Sequence, residues 1–305
     1  MADHAHAHGH HDHGHGHGHH HHHDPSKTLG WAFAMNLGFT LIEFAGGFIA
    51  GSMSVLAGAV HDFGDCLGIG LAWAMQRLST RGPSRRYHYG FGRLSVLSAL
   101  ISGTAMLAGS VLVAAETIPR LWTPSAPNAK WMLGLGGLGL LVNGAAALRL
   151  ARGRSLNERM LQLHLLEDAL GWAVVLVGSV AIYFKGWTWL DPILAVVLAV
   201  FIFWNAARRL RDVVRVLLQS VPEGFDTKEF RRALLGIPGV RGVHELKAWS
   251  VDGHRHVLSV HLELKAGLPP SASQEARRQV RELAADRGHF HVTVETEAPG
   301  EGCDP

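Results

Sequence analysis

Two histidine–aspartate pairs, each inside an apolar stretch, are the residues in this sequence best suited to chemistry. His61 and Asp65 are four positions apart, and so are His164 and Asp168. Residues at that spacing share one face of a helix, so two packed helices would present two imidazoles and two carboxylates to each other. This donor set suits a tetrahedral divalent ion such as zinc. Because it contains no thiolate, it disfavours copper(I) and leaves zinc, cobalt, cadmium, iron and manganese open.

Four further polar residues accompany these pairs. Asp62 and Glu167 neighbour the pairs on other helix faces, while Glu43 and Asn36 lie in an earlier apolar stretch. Placing an ionisable group in the hydrocarbon core of a membrane costs free energy, so such a residue is by default expected to have a functional role. We interpret the four as accessory residues that surround the ion or line its path, with hydrogen bonding between helices as the alternative. No catalytic residues are predicted.

Six apolar stretches must position these residues, and each is long enough for a bilayer, which takes about 20 residues. They cover residues 29–50, 54–75, 94–117, 131–150, 161–184 and 190–207. Arginines concentrate after stretches two, four and six, so the positive-inside rule predicts that these connections and both termini are cytoplasmic. With two cysteines and a formal charge of +3, the chain of 305 residues is neither a disulfide scaffold nor a binder of nucleic acid.

The pattern from residue 211 onward is that of a small soluble α+β domain. It predicts helices at 227–235 and 271–287 and strands at 243–251, 256–264 and 291–297, with Asp252 and Gly253 as a hairpin turn. We therefore divide the chain into a histidine-rich tail (1–27), a six-helix membrane domain (28–210), a cytosolic C-terminal domain (211–298) and a flexible end (299–305).

Thirteen of the 22 histidines stand in the tail between His4 and His23, interleaved with glycine, alanine and aspartate. Such a composition cannot build a core and predicts disorder. We interpret the tail as a native segment that gathers metal ions near the cytoplasmic mouth. A purification tag is the alternative.

The sequence resembles the cation diffusion facilitator family in four segments, SVLAGAVHDFGDCLGIGLAWAMQRLS, YHYGFGRLSVLSALISG, HLLEDALGWAVVLVGSVAIYF and DPILAVVLAVFIFW. The resemblance extends from residue 29 to about residue 297. It implies a polytopic α-helical membrane protein: a homodimeric antiporter of divalent metal ions and protons, with six transmembrane helices and a metallochaperone-like, ferredoxin-like cytosolic domain. It also implies that His61, Asp65, His164 and Asp168 form the transport site. A set of two histidines and two aspartates resembles that of the zinc-preferring branch of the family.

The same resemblance implies a second metal site in the cytosolic domain. The segments VHELKAW and HVLSVHLEL supply His244 and His261, and HVTVETE supplies His291, Glu295 or Glu297 to complete the set. The ion expected there is a regulatory Zn²⁺.

The residues and the resemblance together predict efflux of a divalent cation, Zn²⁺ first, from the cytoplasm in exchange for protons. A metal binds neutral imidazole, whose unperturbed pKa is about 6.5, so metal and protons exclude each other. Co²⁺, Cd²⁺, Fe²⁺ and Mn²⁺ are alternative substrates. Metal import and a membrane-anchored metal sensor are alternative functions, and we expect the inner membrane of a bacterium as the location.

An intramembrane metalloenzyme is a further alternative. Such an enzyme would require a metal-binding motif such as His-Glu-x-x-His. His244 and Glu245 begin such a motif, but Ala248 stands where the second histidine would be. The sequence therefore favours a transporter over an enzyme.

Overall fold

The computed structural model describes residues 25–79, 84–123, 125–151 and 156–300, so the histidine-rich tail from His4 to His23 lies outside the described residues. Six long helices come first, followed by a small mixed domain. The six helices are α1 (Pro25–Ala50), α2 (Met53–Ser79), α3 (Arg93–Thr117), α4 (Ala129–Leu150), α5 (Leu156–Lys185) and α6 (Leu190–Leu217).

The six predicted spanning helices are confirmed. Of the described residues, six helices are long and apolar enough to cross a membrane, with mean hydropathy between 1.3 and 2.0. Their outer surface is apolar as well: Leu112, Leu141 and Val177 are 67%, 68% and 70% exposed. Large aliphatic side chains that point outward from the bundle fit a lipid environment and would be unusual in water.

Helix α6 continues ten residues beyond the predicted end of its apolar stretch, from 207 to Leu217. The prediction followed the change from apolar residues to arginines. Arginine and leucine are good helix formers, however, and this segment contains neither glycine nor proline. The helix therefore carries four arginines out of the apolar region without a break.

Asp191, in the first turn of α6, holds the start of α2. It is 2% exposed. Its carboxylate accepts hydrogen bonds from the backbone N–H groups of Met53 (2.8 Å) and Ser54 (3.2 Å). It also accepts bonds from the hydroxyls of Ser52 and Ser54, each at 2.6 Å. An acidic group satisfies the free N–H groups at a helix start, so this contact fixes α2 against α6.

Helices α4 and α5 pack closely, which fixes the rotation of α5. A Cβ atom on Gly139 would lie 2.3 Å from the ring of Trp172, so only glycine permits this approach. Trp172, Met132 and Val175 are buried in the resulting cluster. Helix α5 therefore presents His164 and Asp168 toward α2 rather than toward lipid.

The C-terminal domain has the predicted α+β architecture. It consists of α7 (Thr227–Leu235), β1 (Val240–Ser250), β2 (His256–Leu264), α8 (Pro270–Ala285) and β3 (Phe290–Glu297). The sheet order is β1-β2-β3; β1 and β2 are antiparallel, and β3 runs parallel to β2 after the crossover through α8. Buried residues of both helices, including Phe230, Leu234 and Val280, pack on one face of this sheet. The opposite face is left for polar residues.

Strand β1 is irregular at a position that alternation alone does not predict. Val243 and Ala248 both face the core although they are five residues apart, which a regular strand forbids. The pairing shifts between His244, opposite His261, and Lys247, opposite Ser259. One extra residue is accommodated there, and Glu245 has a left-handed φ of 49°. This β-bulge keeps His244 on the polar face beside His261.

Candidate metal site

Helices α2 and α5 bring the two predicted pairs together. His61 Nε2 lies 3.6 Å from Asp65 Oδ2 on its own helix and 3.4 Å from Asp168 Oδ1 on α5. His164 Nε2 lies 3.3 Å from Asp65 Oδ2 and 3.8 Å from Asp168 Oδ2. Each histidine thus faces both aspartates.

These separations match the size of a tetrahedral zinc site. Ligand atoms at 2.0–2.1 Å from a tetrahedral ion stand about 3.3 Å apart. The four nitrogen–oxygen distances of this cluster run from 3.3 to 3.8 Å. The ligand atoms within 4.8 Å of one another fall into two groups that share Asp168, one with Asp65 and His164 and the other with His61 and Asp62. Coordination of one ion by both histidines and both aspartates would therefore draw these two groups together.

The cluster also needs positive charge. Asp65 Oδ2 and Asp168 Oδ1 are buried oxygens that accept no hydrogen bond from the described residues. The side chains of these aspartates are 15% and 10% exposed. Buried carboxylate oxygens without donors are costly, and a coordinated cation is one of the few partners that offsets this cost.

The predicted accessory residues lie at different distances from the cluster. Asp62 shares a group of ligand atoms, all within 4.8 Å, with His61 and Asp168. Glu43 is fully buried on α1, and its carboxylate interacts with that of Asp62. Asn36 is two turns earlier on α1, about 10 Å along the axis. Carboxyl groups therefore extend from the cluster toward α1.

Helix α6 contributes two residues that the sequence did not suggest as part of the site. Asn205 Nδ2 donates to Glu167 Oε1 at 3.3 Å. Arg209 Nη1 lies 3.8 Å from Asp65 Oδ1. From the sequence, Arg209 served only to predict the membrane orientation, because it follows the predicted end of the apolar stretch at residue 207.

A cavity leads from the cluster toward the start of α2. Its walls include Ser54, Gly58, His61 and Asp168. Ser54 is also a donor to Asp191. The cavity therefore reaches the Asp191 contact at the opposite end of α2 from the C-terminal domain.

A second group of side chains that could hold a metal ion lies on the polar face of the C-terminal sheet. His244 Nε2 is 2.9 Å and His261 Nδ1 is 2.7 Å from the two oxygens of Glu297. His261 Nε2 is 3.5 Å from Glu295 Oε2. Strand register explains this arrangement, since His261 faces His244 on one side and Glu295 on the other. His244, His261 and Glu297 offer ligand atoms within 4.8 Å of one another.

His291 does not belong to this group, contrary to the set inferred from the resemblance. It pairs with Val257 in the sheet, and its ring lies 6.3 Å from that of Tyr89. Six residues of β-strand separate it from Glu297, a distance of about 20 Å. The residue type suited a metal ligand, but the parallel register places Glu295 and Glu297, not His291, beside His261.

One exposed ion pair, between Lys247 and Glu245, lies beside the sheet cluster. A hydrogen bond from Lys247 lowers the pKa of the Glu245 carboxyl, which keeps it ionised and directed to that lysine at the bulge. Glu245 therefore adds negative charge near His244 without joining the group of ligand atoms.

Comparison with known proteins identifies both parts of the chain. Residues 30–218 match the family described as cation efflux transmembrane domain, and residues 222–299 match the cation efflux protein cytoplasmic domain. The zinc transporter ZitB of Escherichia coli (strain K12) is 31% identical over 89% of this chain and 87% of its own length.

Two other relatives have the same extent of similarity. The cadmium, cobalt and zinc/H(+)-K(+) antiporter of Bacillus subtilis (strain 168) is 28% identical over 91% of both chains. The metal cation efflux system protein CzcD of Cupriavidus metallidurans is 28% identical over 91% of this chain and 89% of its own. With six spanning helices, a cytoplasmic domain and full-length relatives that move metal cations, this chain belongs to the cation diffusion facilitator, or cation efflux, family and is a multi-pass membrane transporter rather than an enzyme.

Proposed function

We propose that this protein exports Zn²⁺ from the cytoplasm in exchange for protons, using His61, Asp65, His164 and Asp168 as its transport site. One observation carries the proposal: four side chains from α2 and α5 converge with nitrogen–oxygen distances of 3.3–3.8 Å. Two imidazole nitrogens and two carboxylate oxygens suit zinc, with Cd²⁺ and Co²⁺ as chemically close competitors and Fe²⁺ and Mn²⁺ as weaker ones.

Proton exchange follows from the ligands. Zinc requires neutral imidazoles and ionised carboxylates, so binding of the ion releases protons, and protons that arrive from the other side displace it. The charged groups facing the two histidines are Asp65 and Asp168, with Asp62, Glu43, Glu167 and Arg209 around them. Each helix carries half of the donor set, so a relative movement of α2 and α5 would open the site to one side at a time.

We place the protein in the inner membrane of a bacterium, with both termini in the cytoplasm and two copies per functional unit. The arginine-rich connections support this orientation. The cytoplasmic domain family supports the location of the C-terminal domain. The Bacillus subtilis relative, a cadmium, cobalt and zinc/H(+)-K(+) antiporter, supports protons as counter-ions.

Transport by purified protein in liposomes tests the proposal. With an imposed pH gradient and a zinc-sensitive dye inside, wild-type protein should move Zn²⁺, while Asp65→Ala and His164→Ala should abolish transport. His289→Ala is the matched control, because it removes an exposed imidazole outside both clusters. Normal transport by either site variant would contradict the assignment, and parallel measurements with Cd²⁺, Co²⁺ and Mn²⁺ rank the metals.

We also propose that His244, His261 and Glu297 bind a regulatory Zn²⁺ and that the tail from His4 to His23 gathers metal at the cytoplasmic mouth. Deletion of residues 2–23 should raise the KM for zinc more than it lowers the maximal rate. An unchanged KM would argue against a gathering role.

A further inference from the structure

Two neighbouring arginines on α6 point to different surroundings. Successive residues of a helix are rotated by about 100°. The guanidinium of Arg208 lies over the ring of Trp204, 5.7 Å from its centroid. The guanidinium of Arg209 faces α2, with Nη1 3.8 Å from Asp65 Oδ1. The two arginines have the same charge and the same depth along α6 but different partners.

The two carboxylate oxygens of Asp65 face different partners. Oδ2 faces the imidazoles, at 3.3 Å from His164 and 3.6 Å from His61. Oδ1 faces Arg209. A guanidinium stays charged at every physiological pH. Arg209 and a bound metal ion would therefore both be attracted to the same carboxylate of Asp65.

The side chain of Arg209 is far more accessible than that of its partner. Its side chain is 51% exposed, whereas that of Asp65 is 15% exposed. It is attached to the part of α6 that continues toward the C-terminal domain. A long, half-exposed side chain can turn into water when a divalent cation arrives and return when the ion leaves.

We propose that Arg209 is a tethered counter-cation that competes with the transported metal for Asp65 and thereby lowers the affinity of the site. The inference rests on the proposed function, since it takes Asp65 as a metal ligand. In the empty site, Arg209 offsets part of the charge of the crowded carboxylates Asp65, Asp62 and Asp168. In the loaded site, the ion repels Arg209, which favours release of the ion at the next step.

Equilibrium zinc binding to the full chain in detergent, together with the KM in liposomes, tests this role. Arg209→Ala should lower the Kd and the KM for Zn²⁺ by about threefold to fivefold, the size expected for a partly exposed ion pair. Arg209→Lys keeps the charge and should restore most of the wild-type affinity. Arg208→Ala, the matched control with its guanidinium on Trp204, should bind zinc as wild type does.

The gain in affinity should also shrink as salt is raised from low to high concentration, because salt screens an exposed charge. A gain in affinity cannot arise from a misfolded variant. Unchanged or weaker zinc binding by Arg209→Ala, or an equal gain in Arg208→Ala, would overturn the proposal. If Asp65→Ala binds and transports zinc normally in the same assays, the transport site itself is wrong, which separates the two failures.

Discussion

The membrane cluster and the sheet cluster use similar side chains but are assembled in different ways. In the membrane, each helix supplies a histidine and an aspartate four residues apart, so half of the set is local in sequence. In the C-terminal domain, His244, His261 and Glu297 come from three different strands. The first cluster depends on helix periodicity and one helix–helix contact, and the second depends on strand register.

The contacts within the two clusters differ in length. In the membrane cluster, the four nitrogen–oxygen distances run from 3.3 to 3.8 Å. On the sheet, imidazole nitrogens lie 2.7 and 2.9 Å from the two oxygens of Glu297. The side chains of Asp168 and Glu297 are equally buried, each 10% exposed. The sheet cluster is therefore the more contracted of the two, and the membrane cluster leaves more room between its side chains.

The largest expected effect is a double dissociation between the clusters. Asp168→Ala should reduce zinc transport by about 100-fold or more, since even partners of metal ligands are worth 10- to 100-fold, while the sheet cluster still binds zinc. His261→Ala should remove that binding and leave transport in place. His291→Ala, the control, should change neither. Zinc stoichiometry by equilibrium dialysis and flux in liposomes measure both. If His291→Ala removes domain-bound zinc, the register assigned to β3 is wrong.

A smaller effect is expected on the frame that carries the membrane cluster. Asp191→Ala leaves two serine hydroxyls and the start of α2 without their acceptor. We expect a loss of about 2–4 kcal/mol, because buried hydrogen bonds to a charged group are involved. The thermal unfolding midpoint in detergent measures it. Asp212→Ala, an exposed carboxylate on the same helix, is the control. Equal midpoints for the two variants would contradict the role of Asp191.

The smallest effect concerns pH and the C-terminal domain. Burial lowers the pKa of His256, and the imidazoles of His254 and His289 lower it further against the opposing carboxylate of Asp252. The unfolded chain then binds more protons as the pH falls through about 6.5. Stability that is present above this pH is therefore lost on acidification.

Thermal unfolding of the full chain between pH 8 and pH 5.5 measures this slope. It should be well below the limit of about 1.4 kcal/mol per pH unit for one proton, because the ring is partly exposed. His256→Gln should flatten the slope, and His291→Gln should not. A wild-type slope in His256→Gln would rule out His256 as the group responsible.

Local patterns in the sequence predicted the membrane half of the molecule well. Length and hydropathy located all six helices, and the spacing of His61 and Asp65 placed both on one face. Their association with His164 and Asp168 was inferred from the free-energy cost of ionisable groups in a membrane, which favours contacts between such groups on neighbouring helices. The apolar stretch at 190–207 did not give the end of α6, which continues to Leu217, because a change in polarity does not stop a helix.

The sheet cluster depends on features that local sequence patterns do not encode. His244 and His261 were named from resemblance, but the choice among His291, Glu295 and Glu297 required the parallel register of β3. The bulge at Glu245 was equally out of reach, because one extra residue reverses the face of every residue that follows. Asn205 and Arg209 lie far in sequence from the residues they contact.

By itself, the sequence determined the class of this protein: a six-helix membrane body with costly ionisable residues in two helices, and a small α+β domain. These properties follow from composition and from periods of a few residues, which act locally. Only the tertiary structure decided that four nitrogen–oxygen pairs stand 3.3–3.8 Å apart, that Arg209 faces Asp65, and that Glu297 lies beside His244 and His261. These depend on helix rotation and strand register, which arise from packing between distant segments and leave no local trace in the chain.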